Sequence, residues 1–454
     1  MSTSSQTFNA PAGLKTVVVL GASYGGHRAA KVLAGGLPDG WRVVVIDRNS
    51  HANHVYNLPR YAVLPGHEHK AFIPYDNIFS ISPSSPPKAG HIRLHAHITS
   101  LGPHSVGLSR SFPEYGIEEP LLHFDYAIYA LGSHLPSPIN LWSANPDADF
   151  EKHGTPKSIS PSYQGTKPEG ICWLQRHQKR VKEASSVLIV GGGALGIQFA
   201  SDIAAVYPNK QVTLIHSRRR LLPKFDESIH TEILQCFEEL NVEVVLGERL
   251  DLQSVHEGKT NEAGQRVVRT TTGRQVPADL ILLCTGQVPN TGLLAEMDPR
   301  AVIPDSGLAP VLRTMQLNVP LSNDSSTCEQ GSLYPHIFVV GDAADAFGAI
   351  NAGHNAYYQA EVAAHNVLKM ISNQDSSRPA SSELAENKHG KVDEELGWYT
   401  PGQPRIKVSV GLAKTVFQVD DVVGTKSDGM DDLNASAMWS FLGMKVVGEE
   451  DMFA

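Results

Sequence analysis

A chain of 454 residues exceeds one ordinary domain, and 41% hydrophobic with 19% charged residues is the composition of a globular protein with two or three cores. Its formal charge of −9 gains nothing from phosphate counterion release, so nucleic acid is set aside as a partner. The four cysteines (Cys172, Cys236, Cys284 and Cys328) form no C-x-x-C or other short pair, which argues against a disulfide framework, a zinc site and a dithiol redox centre and for a reducing compartment.

The opening MSTSSQTFNAPAG is polar, resembles no signal or transit peptide and has no Gly at position 2 for myristoylation. No apolar run approaches the roughly 20 residues of a membrane-spanning helix. The expectation is a cytoplasmic protein with at most peripheral contact with a mitochondrial or other intracellular membrane.

Order is expected from Leu14. TVVVLGASYGG (16–26) reads as an apolar strand running into a glycine turn, with a helix over His27 to Leu33. WRVVVIDR (41–48) is a second apolar strand, ending at Asp47. Strands apolar along their whole length belong to a buried parallel sheet. The pattern returns at SVLIVGGGALG (186–196), a helix through Ala205, and KQVTLIHS (210–217). Two such units predict an α/β chain with two Rossmann-like dinucleotide folds. Residues 80–90 and 143–170 read as surface insertions, and 372–395 as a linker. The expected division is a first dinucleotide domain over 14–165 and 299–372, a second over 166–298, a linker over 373–395 and a C-terminal domain over 396–454.

Gly191, Gly193 and Gly196 spell G-x-G-x-x-G between a strand and a helix. The first glycine makes the turn, the second admits a pyrophosphate, and the third lets helix and strand pack closely. The first turn keeps Gly21 and Gly26 but has Ser23 in the middle, a small residue whose hydroxyl could face a phosphate. Asp47 stands at the spacing of a ribose-binding acid. The second unit has no such acid. Its strand ends His216-Ser217, followed by Arg218, Arg219 and Arg220, so NADPH is expected to be accepted alongside or ahead of NADH. The plainer alternative is a solvated arginine turn. HIFVVGDAAD (336–345) ends a strand at Gly341-Asp342, where a carboxylate can accept from sugar or ribityl hydroxyls or cap a helix. Twenty histidines raise the question of a metal, but pairs such as His95/His97 and His67/His69 lack completing ligands, and none is expected. AMWSFLGMKVV (437–447) is expected to pack onto the body in preference to touching a membrane or a partner.

The series GASYGG, ALGS (130–133), GGGALG, CTG (284–286) and GDAAD resembles the two-dinucleotide-domain flavin oxidoreductases over residues 15–370. QVTLIHS, DLILLCTG and IFVVGDAAD look closest to the apoptosis-inducing-factor-homologous and ferroptosis-suppressor-like proteins. The resemblance implies FAD held by Gly21, Ser23, Gly25, Gly26, Asp47, Arg60, Ile98, Ala130, Gly132, Gly341 and Asp342. It implies NADPH or NADH held by Gly191, Gly193, Ala194, Gly196, His216, Arg218, Thr285 and Gly286. Ala352 to Gln359 would open a helix aimed at the flavin ring, whose dipole favours negative charge there. Gln198, where relatives usually carry a glutamate, Gln359 and Lys426 are the candidate catalytic residues. Hydride would pass from NAD(P)H to the flavin, then electrons to a quinone-like acceptor or oxygen, in a monomer or homodimer. The rival expectations are a reductase of a protein redox partner, a flavin monooxygenase, and a redox-sensing signalling protein with incidental turnover.

Overall fold

The computed structural model describes residues 13–80, 90–135, 139, 164–321, 331–376 and 395–454. The core of the expected insertions, most of the expected linker and Cys328 lie outside these residues. Within them the chain forms two compact units. The first comprises the chain to Ser50, Tyr75–Ser133 and Pro289–Gly402; the second comprises His51–Pro74, His134–Val288 and Gln403–Ala454.

The first unit is built on a five-stranded parallel sheet in the order Ile337–Val339, Tyr126–Tyr129, Lys15–Leu20, Trp41–Asp47, Ile92–His95. Val17, Val18, Val19 and Val43 to Ile46 are fully buried, as a sheet covered on both faces requires. The glycine-turn helix runs over Tyr24–Gly36, a turn longer at each end than its apolar pattern suggests. It packs against the helix Gly353–Ser376, where Gly36 meets Leu368 and Arg28 pairs with Glu361 at 2.8 Å. A small antiparallel sheet of Ile98–Gly102, Ser105–Leu108 and Leu121–His123 completes this unit's crossover.

The second unit has a four-stranded parallel sheet in the order Glu243–Leu246, Gln211–His216, Ser186–Val190, Leu280–Leu283. Residues 403–454 belong to this unit and do not form the expected domain of their own. Their antiparallel sheet, Ile406–Val410, Lys414–Val419 and Val422–Lys426, sends Val408, Val410 and Val416 into the same core as Ile197, Ile203 and Phe237. Trp439 is fully buried in the same unit and donates from Nε1 to the Lys70 carbonyl at 3.0 Å, so AMWSFLGMKVV does pack inward at its tryptophan.

Arg60 fastens this arrangement. It lies in the helical turn Leu58–Tyr61, wholly inaccessible, and its Nε donates to Asp202 Oδ2 at 2.9 Å. Nη2 donates to the Gly411 carbonyl at 2.7 Å and Nη1 to the Met430 carbonyl at 3.3 Å. One guanidinium thus joins three stretches that are remote in sequence. This corrects the expectation that Arg60 meets flavin phosphates: no part of its side chain reaches the surface, and its donors are directed at interior acceptors.

Removing one partner of a buried pair strands the other charge. Arg60→Leu is therefore expected to cost about 3–5 kcal/mol in a urea unfolding series. Burial outweighs the attraction of Arg60 and pushes Asp202 up to about 6. A carboxyl raised on folding contributes stability below its unfolded value that is lost as pH rises through the folded one. The stability of the native chain relative to Asp202→Asn should accordingly fall between pH 4 and pH 6.5; a flat difference would show that Arg60 keeps Asp202 ionised throughout.

Candidate functional site

Each unit carries one glycine turn at the C-terminal end of its central strand. In the first, Gly21 takes φ +91°, and a Cβ there would stand 2.5 Å from the Ala130 carbonyl oxygen. In the second, Gly191 takes φ +125°, with the Cys284 carbonyl against it. The third glycines, Gly26 and Gly196, lie so close to the carbonyls of Gly21 and Gly191 that no side chain fits. Both helices that follow begin with no side-chain cap and no acidic residue in the first turn. No side chain covers their positive N-terminal ends, and the space beside Gly193 is open. These are cradles that fit the pyrophosphates of two dinucleotides.

Asp47 closes the first turn. Its Oδ2 accepts from Ala22 N–H at 2.7 Å and its Oδ1 from Asn49 N–H at 2.7 Å, while burial pushes its carboxyl up. Ala130 N–H bonds Leu20 O at 2.8 Å, and Gly132, at φ +62°, offers its carbonyl to Asn290 N–H at 2.9 Å. Gly25 packs near the Ala356 carbonyl, and Ile98 is half-buried opposite Leu108.

At the start of the helix Gly353–Ser376 a cavity is lined by Gly341, Asp342, Asn351, Asn355, Ala356 and Gln359, among others. Gln359 is buried, and its Oε1 accepts from Gly341 N–H at 2.7 Å, which leaves the amide NH₂ as its group available to a ligand. Asp342 accepts from the Ser133 hydroxyl at 2.8 Å, and burial raises its carboxyl above the usual range. This helix also has no acidic residue in its first turn, so its positive end faces the cavity unneutralised. Ser133 was not singled out in the sequence: it closes the ALGS motif, but its partner lies 209 positions away.

In the second unit, His216 Nδ1 accepts from Gly192 N–H at 3.1 Å, so this ring braces the turn itself. Desolvation, with Arg218 beside it, lowers its pKa. Arg220 is held by the carbonyls of Pro223 and Phe225, at 2.9 and 3.2 Å, whereas Arg218 and Arg219 are exposed. Ala194 opens the helix, and Thr285 and Gly286 are exposed beyond the strand Leu280–Leu283. Gln198 donates to the Ser409 hydroxyl at 3.1 Å, a partner on the C-terminal sheet that no local pattern announces. Lys426 is an exposed lysine at the end of its strand, its Nζ 4.9 Å from the Phe417 ring centre. Cys284 is buried and its thiol is pushed far up by desolvation, Cys236 is buried, and Cys172 is exposed.

Comparison with known proteins agrees with this geometry. A family model described as pyridine nucleotide-disulphide oxidoreductase matches residues 15–360. Fe-regulated protein 8 of Mycosarcoma maydis is 42% identical over 95% of this chain and 95% of its own length. Apoptosis-inducing factor homolog B of Dictyostelium discoideum is 26% identical over 89% of both. Among solved structures, the sulfide:quinone oxidoreductase of Aquifex aeolicus shares the fold with a TM-score of 0.61 at 15% identity, over 94% of this chain and 90% of that one.

A Cβ at Gly26 or Gly196 must displace the turn it touches. Gly26→Ala is expected to yield protein with little bound flavin, read from the ratio of absorbance at 450 and 280 nm. Gly196→Ala should keep its flavin and bind NAD(P)H at least about tenfold more weakly, an added cost on the order of 1.4 kcal/mol.

Proposed function

The chain belongs to the pyridine nucleotide-disulphide oxidoreductase family and uses FAD and NAD(P)H, and on that premise we propose that it passes electrons directly to a small quinone-like acceptor. The observation that carries this reading is the occurrence of two dinucleotide cradles in a chain whose four cysteines form no closely spaced pair in sequence. Flavin supplies the two-electron chemistry when bound, taking a hydride from NAD(P)H and giving its electrons onward. A disulphide route would need two neighbouring thiols. No two of the four cysteines are closely spaced in sequence, and the buried Cys284 thiol is held in its unreactive protonated form. Overall, NAD(P)H, a proton and a quinone become NAD(P)⁺ and a hydroquinone. The sulfide:quinone oxidoreductase with the same fold supports an acceptor of this class. Oxygen is the alternative acceptor.

The residues of the chain would divide the work as follows. The N–H groups at the starts of Tyr24–Gly36 and Ala194–Val206 bind the pyrophosphates, and Asp47 orients the adenosine ribose of FAD. Asp342, steadied by Ser133, accepts from the ribityl chain. The Gln359 amide donates to the flavin ring, and the positive end of its helix favours the charge that builds up on reduction. Gln198 is proposed to sit near the nicotinamide, where its bond to Ser409 restrains it. Lys426 is proposed for the acceptor side. Arg218 is proposed to pair with a 2′-phosphate, a reading supported by its exposure and by the absence of an acid at the end of Gln211–His216.

The test is anaerobic stopped-flow reduction with NADH and with NADPH, followed by mixing with a short-chain quinone. Rapid bleaching at 450 nm by a nucleotide and rapid recovery with quinone are expected; recovery only on admitting oxygen would make this an oxidase. Arg218→Ala should weaken NADPH about tenfold or more and leave NADH nearly unchanged.

A further inference from the structure

The first glycine turn has Ser23 where a dinucleotide turn ordinarily has its middle glycine. Ser23 occupies the N-cap position of Tyr24–Gly36, with extended φ −79° and ψ 158°, yet its hydroxyl caps none of the helix N–H groups. That is unusual behaviour for an N-cap serine, whose oxygen ordinarily accepts from the second or third helical N–H. The hydroxyl is turned instead toward Tyr75, 3.2 Å from the phenol oxygen. Tyr75 is 1% exposed, and its phenol donates to Asp47 Oδ2 at 3.4 Å. The Arg93 guanidinium lies over the Tyr75 ring at 5.9 Å.

Proton counting gives this chain a direction. An ionised carboxylate only accepts, and a phenol has one proton. When Tyr75 donates to Asp47, the Ser23 hydroxyl must donate to Tyr75, so the order is Ser23 to Tyr75 to Asp47. Burial, with the Asp47 charge beside it, raises the Tyr75 phenol well above its ordinary value and keeps that proton in place. Two consequences follow for the turn. The Ser23 hydroxyl stays off the first-turn N–H groups of the helix because it is held elsewhere. Asp47 is fixed from three sides, by Ala22 N–H, Asn49 N–H and the phenol, so only Oδ1 retains acceptor capacity for a further donor.

We propose that Tyr75 is a positioning residue of the FAD site: it draws the Ser23 side chain off the phosphate-binding N–H groups and braces Asp47 toward the adenosine ribose, so that the turn works without its middle glycine. This rests on the reading of the 21–26 turn and Asp47 as the seat of the ADP half of FAD.

The experiment is titration of FAD into the full-length apoprotein, followed by quenching of flavin fluorescence, with the apoprotein melting temperature recorded alongside. Tyr75→Phe keeps the ring and its packing but loses the relay. It should raise the FAD Kd roughly five- to tenfold, the effect of one ordinary hydrogen bond, with little change in apoprotein melting. Ser23→Ala should cost nothing further in the Tyr75→Phe background, because both act through one chain. Ser23→Gly should recover part of the loss caused by Tyr75→Phe, since a glycine turn has no hydroxyl to divert, and leave the part that comes from the lost bond to Asp47. An FAD Kd for Tyr75→Phe within twofold of the native value, or full additivity with Ser23→Ala, overturns the proposal and leaves Tyr75 as ordinary core. Should Tyr75→Phe fail to fold, Ser23→Gly serves alone: an FAD Kd within twofold of the native value is expected, and one raised about fivefold or more shows that the hydroxyl itself binds the phosphates and overturns the proposal. Asp47→Asn separates the two layers: if it leaves FAD binding intact, the underlying site reading is at fault, whereas weakened binding there with an unaffected Tyr75→Phe condemns the Tyr75 inference alone.

Discussion

The closeness of backbone to backbone at the two glycine turns is the constraint on which both units depend. Gly26 touches the carbonyl of Gly21, and Gly196 that of Gly191, so strand and helix meet at a distance that no Cβ permits. That approach brings the helix N-terminus level with the end of the sheet, where its positive dipole end is suited to an anion. The buried valines and isoleucines of the parallel strands hold the sheet rigid behind each turn. A cofactor pyrophosphate can therefore be met by fixed backbone dipoles, with little reorganisation on binding.

Polar groups in the interior refine what the apolar frame allows. Arg60 and Asp202 are both fully buried, an arrangement whose net contribution to stability is modest but whose disruption is costly. Its further bonds to the carbonyls of Gly411 and Met430 make the C-terminal sheet part of the second unit. Gln198 and Ser409 add a second tie between the helix after the glycine turn and that sheet. The C-terminal segment thus bears on the helix Ala194–Val206 from within its own unit, and changes in one can be felt in the other.

The cavity at the start of Gly353–Ser376 shows the same economy of placement. Gln359 is oriented by Gly341 N–H and Asp342 by the Ser133 hydroxyl, so each functional amide or carboxylate has one side fixed and one side available.

The sequence alone determined the two α/β units, the glycine turns and, through the motif series, FAD and NAD(P)H chemistry. Those features are written in short stretches, because burial periodicity and steric exclusion at a turn act over about ten residues. Tertiary structure decided the rest. Arg60 read as a phosphate ligand because local sequence shows only a basic residue; its partner Asp202 is 142 positions away. Ser23 read as a serine whose hydroxyl could face a phosphate, and local sequence gave no sign of Tyr75, 52 positions on and within hydrogen-bond reach of it. The C-terminal segment read as a separate domain because a polar linker precedes it, but its valines complete another unit's core. Each of these outcomes turns on which buried polar or apolar group finds a partner, and packing, not local pattern, makes that choice.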